Sequence, residues 1–436
     1  MNYSIILQAK QMITKADSKN VGEYKYFDKC RFCGSEVVRV INLGYMPLAG
    51  NFLDKSFSKT NFEQEQFYPL RLNFCKSCFL LQVDTSINPI KLFKNYFYFS
   101  SSMKTLVDYF ENVAQEMKIY LPNKKNSLVV EIGCNDGTFI SSVSKLGYKA
   151  LGIDPATNIV KPLIKKGYPI INDFFSEKLS ENIVKKNGKA DAIYSFHSLA
   201  HIEDMLDVVR GIKKLLKPNG YLAFEVHYLG NLINEFQYDM IYHEHQYYYS
   251  LISLKNLFNN FDMEIFNVRK VPLRAGSMVY YVQNKKFGKR KINLSVEKIL
   301  QEEKKQKLDQ AITYLNFNKK IENNKLQLLS LLKKLKSQNS LIAGYGASGR
   351  GTIMGNYCEL DSKYLEFVTD DAKAKHGFFT PGTHLQIFSS NELIKKNIKY
   401  AVLFAWPFIE EVKKRNEEFI KNGGKFIIPL PKLRID

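Results

Sequence analysis

No apolar run in this chain approaches the about 20 residues that cross a bilayer. Its opening stretch, MNYSIILQAKQMITKADSKN, lacks the long apolar core and small-residue cleavage site of a secretory signal. These absences predict a cytoplasmic protein with no membrane partner. Acidic residues are also short: 43 Asp and Glu face 63 Lys and Arg, a formal charge of +20. Such an excess invites a nucleic-acid reading. Yet there is no arginine-rich tail and no basic-aromatic array of the kind that reads single strands. The positive charge is mostly lysine, spread along the chain. A solvated lysine surface that helps steer an anionic small substrate is the expectation, with no nucleic-acid partner. Cysteine is scarce as well, six in 436 residues.

Four of those six stand in two tight pairs, Cys30-Arg31-Phe32-Cys33 and Cys75-Lys76-Ser77-Cys78. Each pair can hold one side of a tetrahedral metal. Zinc prefers soft thiolates, and a closed shell of four leaves no open position for chemistry. The pattern therefore predicts a structural zinc knuckle, with the reaction elsewhere. The gap between the pairs exceeds ordinary zinc-finger spacing, so a small strand-containing domain must loop out between them. A disulfide or redox pair is disfavoured, because nothing else points to an oxidising compartment.

The length allows two or three domains, and the pattern divides into a zinc-binding segment (1–95), an α/β segment (96–285), and a helical linker with a second α/β segment (286–436). In the middle segment an apolar run, Leu128 to Ile132, leads into a glycine-rich turn. Strand-like runs recur at Ala150–Asp154, before Asn172, at Ala192–Phe196 and at Tyr221–Val226, the last preceded by the turn Lys217-Pro218-Asn219-Gly220. Strands alternating with helices argue a parallel sheet. Leu308, Ile312 and Leu315 fall at helical spacing within a Lys-, Gln- and Leu-rich stretch, which predicts one or two long connecting helices. The last segment repeats the α/β logic: Leu341–Tyr345 enters a second glycine-rich turn, and Leu365–Asp371 reads as a strand ending in acids.

A glycine-rich turn after a first strand lets a ligand approach the backbone, and an acid ending the second strand can accept from both ribose hydroxyls. Here the turn runs Glu131-x-Gly133-x-Asn135-x-Gly137, with Asp154 on the second strand and Asp173 after the third. That arrangement resembles class I S-adenosylmethionine methyltransferases, in which reading Asp154 holds the ribose and Asp173 lies near the adenine. A second cluster, Tyr242-His243-Glu244-His245, combines a side chain suited to proton transfer with a carboxylate and a phenol. It lacks the i, i+4 histidines of a zinc helix. His201 follows the fourth strand, at the sheet edge where α/β ligands bind.

With these residues in place, the whole chain resembles the three-domain C-methyltransferases that act on nucleotide-linked 4-keto-deoxysugars. The resemblance spans the four cysteines with Leu43 to Ala49, Tyr98 to Ser101, Glu131 to Gly137, Ile241 to His245, Gly276-Ser277, Tyr345 to Ala347, Pro381 to His384 and Ala405-Trp406. It implies three parts: a four-cysteine zinc-binding domain, a Rossmann-like methyltransferase domain, and a C-terminal Rossmann-like domain that helps hold the nucleotide sugar. It implies that Cys30, Cys33, Cys75 and Cys78 bind structural zinc. It places Tyr98, His201, Tyr242, Glu244 and His245 at the reaction site, with His245 the leading base. Tyr98, Ser101, Glu131, Gly133, Asn135, Gly137, Asp154, Asp173 and His197 would line the S-adenosylmethionine site; Arg274, Ser348 and Arg350 would meet the sugar nucleotide. The family often carries asparagine where His197 stands, a His-Gly pair where Arg274-Ala275 stands, and asparagine where Pro407 stands. The implied reaction adds a methyl group at C3 of the sugar through an enolate, in a monomer or weak oligomer. Three alternatives stay open: an O- or N-methyltransferase, an RNA methyltransferase, and a nicotinamide dehydrogenase using Gly344 to Gly349.

Overall fold

The structure is a computed structural model that describes residues 24–54, 62, 64–94, 96, 99–123, 126–272 and 276–436. Its central sheet has seven strands. In spatial order they are Ile170–Ile171, Lys149–Ile153, Leu128–Ile132, Ala190–Phe196, Leu216–His227, Ser277–Asn284 and Met263–Val271. The first five run parallel. Ser277–Asn284 is antiparallel to both of its neighbours. The chain starts in the middle, builds outward to one edge, then returns to build the other half. The crevice beside Leu128–Ile132 is thus a topological switch point, where α/β sheets bind ligands.

Successive residues of the middle strands enter opposite cores, which is why these strands are largely apolar. Leu128, Val130 and Ile132 pack into one core with Ile193, Leu222 and Phe224. Val129 faces the opposite core with Ala192, Tyr194 and Ala223. Both faces are covered, so apolar residues are favoured at successive positions. The predicted strands all form, with two differences. The last parallel strand begins at Leu216, and the Pro218–Gly220 turn is absorbed as a register shift between Leu216 and Tyr221. In the third segment, only Val368–Thr369 of the Leu365–Asp371 run pairs as strand.

The zinc-binding segment forms an antiparallel sheet from Val37–Met46, Tyr68–Cys75 and Leu81–Val83. Its fourth strand comes from far along the chain: Tyr247–Tyr248 pairs with Gln82 and Leu81. The C-terminal sheet has the order Ile387–Phe388, Val368–Thr369, Ile342–Tyr345, Tyr400–Leu403, Lys425–Ile428, Arg434–Ile435, parallel except for the last.

The connecting stretch is two helices, Leu294–Gln306 and Ala311–Ser337, separated at Lys307, whose φ is +56°. The second helix buries Tyr314, Phe317, Ile321, Asn324, Leu328, Leu332 and Leu335, a stripe spaced three or four apart. That stripe packs on sheets. It joins Phe74 and Leu72 of the first domain to Ile342 and Val402 of the third in one continuous core. Among the described residues no helix is long and apolar enough to cross a membrane.

Candidate active site

The four cysteines converge. Their sulfurs all lie within 4.8 Å of one another, with Cys30 Sγ 3.4 Å from Cys78 Sγ and Cys33 Sγ 3.5 Å from Cys75 Sγ. A tetrahedron with zinc–sulfur bonds of about 2.3 Å has edges of about 3.8 Å, so the donor set and its size both fit zinc. Arg31, inside the first pair, ties this knuckle to the chain that follows His245. Its guanidinium lies 4.5 Å from the Phe27 and Tyr247 ring centroids. It donates to Gln246 Oε1 at 2.9 Å and to the Val83 and Gln246 carbonyls at 2.9 and 3.0 Å.

At the switch point, the turn after Leu128–Ile132 forms a left-handed cradle. Gly133, Asn135 and Gly137 have φ of +78°, +49° and +73°. A Cβ on Gly133 would lie 1.8 Å from Ser198 Oγ, so only glycine fits there. Asp154 holds the cradle by accepting from the Asn135 and Ala156 amides, both at 2.8 Å. Burial pushes its carboxyl above the usual range. Glu131 is buried, its pKa raised well above normal by desolvation and by nearby Asp154 and Asp136. Its Oε2 has no partner among the described residues. A buried acid with one unpaired oxygen beside a backbone cradle is what a nucleoside with a cationic tail would satisfy, and S-adenosylmethionine is such a group. A strap crosses the cradle: the Ser100 amide donates to Asn135 Oδ1 at 3.0 Å and the Ser101 amide to Asp136 Oδ2 at 2.8 Å. Asp173 is exposed just beyond Ile170–Ile171 and accepts from the Phe174 amide. Tyr98 and Arg274 lie outside the described residues.

Next to the cradle, four of the seven histidines form a string of rings. His201 stacks on His245 with centroids 5.3 Å apart and on Phe93 at 5.5 Å. His245 lies 5.0 Å from His227, and His227 lies 4.6 Å from His197. His197 Nε2 is 3.0 Å from Glu225 Oε1, and Tyr109 donates its phenol to Glu225 Oε2. Of the expected residues, His201 and His245 come together here, with His227 and Glu225 added. The sequence carried a sign of both: they end the strand Leu216–His227 on the carboxyl edge, the same rule that singled out His201.

His245 is 4 % exposed, and its Nδ1–H donates to the Met240 carbonyl at 3.0 Å. A carbonyl only accepts, so the proton of the neutral ring sits on Nδ1 and Nε2 carries the lone pair. Burial lowers its pKa to about 4, which keeps it neutral at physiological pH. The Tyr242 ring lies 4.0 Å away, its phenol held neutral chiefly by burial, with Glu244 adding to the effect. Burial raises the Glu244 carboxyl to about 7. A Cβ placed on Gly50 would sit 3.8 Å from Glu244 Oε1, so the first domain closes over this side chain. His243 is turned away: its Nε2–H donates to the Pro69 carbonyl at 3.2 Å, fixing the loop to the first domain.

The third domain reaches the same place. Arg350 clasps the fully buried Asp239 with two bonds of 2.8 and 2.9 Å, Trp406 Nε1 donates to the same carboxylate at 2.8 Å, and the guanidinium lies 4.7 Å from the Trp406 ring. Ser348 caps the helix Gly349–Tyr357 by accepting from the Gly351 amide. The first domain borders the mouth of this glycine-rich turn. Phe52 lines it, Thr352 donates to the Ala49 carbonyl at 3.0 Å, and Leu53 bridges to Phe379. Asp370, where a dinucleotide ribose would need an acceptor, holds Lys375 at 3.1 Å, while Asp371 holds Tyr345 and Arg415. These contacts argue against the dehydrogenase alternative.

Three family models cover the chain: a zinc binding domain over residues 30–93, a methyltransferase domain over 107–268, and a C-methyltransferase C-terminal domain over 272–431. The chain is 30 % identical over 409 residues to C-methyltransferase NovU of Streptomyces niveus, spanning 94 % of this chain and 96 % of that protein. It is 28 % identical over 96 residues to a ubiquinone biosynthesis O-methyltransferase of Xanthomonas oryzae pv. oryzae, 22 % of this chain and 40 % of that one. Among solved structures, magnesium protoporphyrin IX methyltransferase of Synechocystis PCC 6803 with bound SAH aligns over 40 % of this chain and 82 % of its own, with a TM-score of 0.32 and 14 % identity.

Proposed function

The chain belongs to the three-domain C-methyltransferase family and is an S-adenosylmethionine-dependent methyltransferase with a structural zinc, and we propose that it methylates C3 of a nucleotide-linked 4-keto-deoxysugar through an enolate. The observation that carries this reading is His245: a neutral ring with its lone pair on Nε2, flanked by a phenol, beside the cofactor cradle. A C4 ketone acidifies the C3 hydrogen. Nε2 of His245 takes that proton. The enolate oxygen accepts hydrogen bonds from the Tyr242 phenol or from His201, donors positioned before charge develops. Bound S-adenosylmethionine supplies an electrophilic methyl group. C3 then forms the new carbon–carbon bond as the sulfur–methyl bond breaks.

In this proposal Asp154 accepts from the ribose, Asp173 lies by the adenine, and Gly133, Asn135 and Gly137 present backbone to the cofactor. Glu131, His197, Ser101 and Tyr98 complete that site. Arg274, Ser348 and Arg350 would bind the sugar nucleotide. The cytoplasm is the matching compartment, since it keeps zinc thiolates reduced.

The test uses purified protein, labelled S-adenosylmethionine and a panel of 4-keto nucleotide sugars. Carbon-bound label at C3 is expected, and exchange of the C3 hydrogen in deuterated water when S-adenosylhomocysteine fills the cofactor site. His245→Asn should lower turnover by roughly two to four powers of ten, the usual contribution of a general base, while both substrates still bind. Label on oxygen, with no exchange, sinks the reading.

A further inference from the structure

We propose that the string His227–His197–Glu225 takes the proton from His245 and so keeps it from returning to the sugar carbon; this rests on the reading that His245 removes a carbon-bound hydrogen. Methyl transfer releases one proton per turnover, because a carbon–hydrogen bond is replaced by a carbon–carbon bond and the sulfonium becomes a neutral thioether. That proton enters His245 at Nε2. It must also leave by Nε2, because the Nδ1–H is fixed on the Met240 carbonyl. The ring is 4 % exposed, so bulk water is not at hand.

Two histidine rings adjoin His245. His201 lies nearly parallel to it, at 22°, and presents a face. His227 is tilted by 52° with its centroid 5.0 Å away, a separation that one bridging water can span between ring nitrogens. The next step, His227 to His197 at 4.6 Å and 57°, repeats that geometry. The string then ends on a carboxylate. His197 Nε2–H donates to Glu225 Oε1, and Tyr109 and the His197 backbone amide brace Glu225. The two ends differ in what they offer a positive charge. Among the described residues no carboxylate bonds the His245 ring, whereas one bonds His197 directly, so the proton moves toward Glu225. His227 and His197 act through His245 and are positioning residues for its proton.

The experiment measures two rates on a nucleoside-diphosphate 4-keto-deoxyhexose that the wild type methylates. One is C3 hydrogen exchange in deuterated water with S-adenosylhomocysteine bound. The other is methyl transfer in a single turnover with S-adenosylmethionine. In His227→Asn, and in His227→Gln should the first fold poorly, exchange relative to methyl transfer should fall by about a hundredfold, the lower end of what a lost proton-transfer group costs. Added imidazole should restore the ratio in the variant and leave the wild type unmoved. A variant in which both rates fall in parallel, or in which exchange equals the wild type, overturns the relay and leaves the C3 reading standing. A wild type that neither exchanges nor methylates carbon removes that reading and the relay together.

Discussion

The burial that hides His245 also sets the pH range in which it can act. An ordinary histidine base loses its lone pair as pH falls through about 6.5. With its pKa lowered to about 4, His245 stays in the basic, neutral form well below that. The acid limb of kcat/KM, which reports the free enzyme, should therefore sit near the lower value. Activity at pH 5.5 should remain within about twofold of that at pH 7.5, where an unperturbed base would have lost about tenfold. An acid limb near 6.5 would assign the base to a different group. Asp154 makes a second case. Its oxygens accept two backbone amides yet retain lone pairs toward the cradle. Asp154→Ala should weaken S-adenosylmethionine by roughly 1–3 kcal/mol, the scale for hydrogen bonds to a charged group, as read by calorimetry. Arg350 makes a third. Its guanidinium serves Asp239 first, so Arg350→Ala strands a buried carboxylate and should cost roughly 3–5 kcal/mol of stability. The Arg350→Ala/Asp239→Asn pair should recover much of that in denaturant melts. Equal melts for the single and double variants would contradict a shared ion pair.

Among the elements, the short strand Tyr247–Tyr248 links zinc to the reaction loop. It follows His245 by two residues, pairs with Leu81–Gln82, and meets the Arg31 guanidinium from inside the knuckle over the Tyr247 ring, next to the Gln246 that Arg31 bonds. Metal binding and folding are coupled in such sites. Stripping zinc, or making Cys75→Ser, should thus lower turnover as well as folding yield, with cofactor affinity falling less. Equal losses in both would reduce the knuckle to a general scaffold. This strand was not legible in the sequence. Two tyrosines in an aromatic run carry no sign of a partner far upstream in the first domain. The parallel strands were legible, because burial on both faces leaves a local mark: the run Leu128 to Ile132 is apolar but for Glu131. The hairpin Met263–Val271 and Ser277–Asn284 went unread, since its edge strand mixes charged and apolar residues, Glu264, Arg269 and Lys270 among them. His227 was hidden for another reason. Its meaning lies in ring contacts with His245 and His197, which arrive from separate loops.

At the scale of the whole molecule, the glycine-rich turn of the third domain shows how context overrides a motif. Gly-x-Gly-x-x-Gly after a strand reads locally as a dinucleotide site, but Ala49 to Leu53 of the first domain border its mouth. NADH should show no saturable binding by calorimetry, and tight binding would mean that this loop moves aside. One core joins the parts: Phe74, Tyr314 and Ile342 belong to one apolar cluster across first domain, helix and third domain. One consequence concerns transplantation. The family divides into three named parts, yet this chain is not three cassettes. Replacing residues up to 95 with a relative's would pair foreign strands with the native Tyr247–Tyr248 and set a foreign loop against Glu244 and Thr352. A chimaera that keeps catalysis should need residues 238–250 and the turn at 346–352 to travel with the donor's first domain, so recombination in this fold is constrained by stitches far from the seams that the sequence suggests.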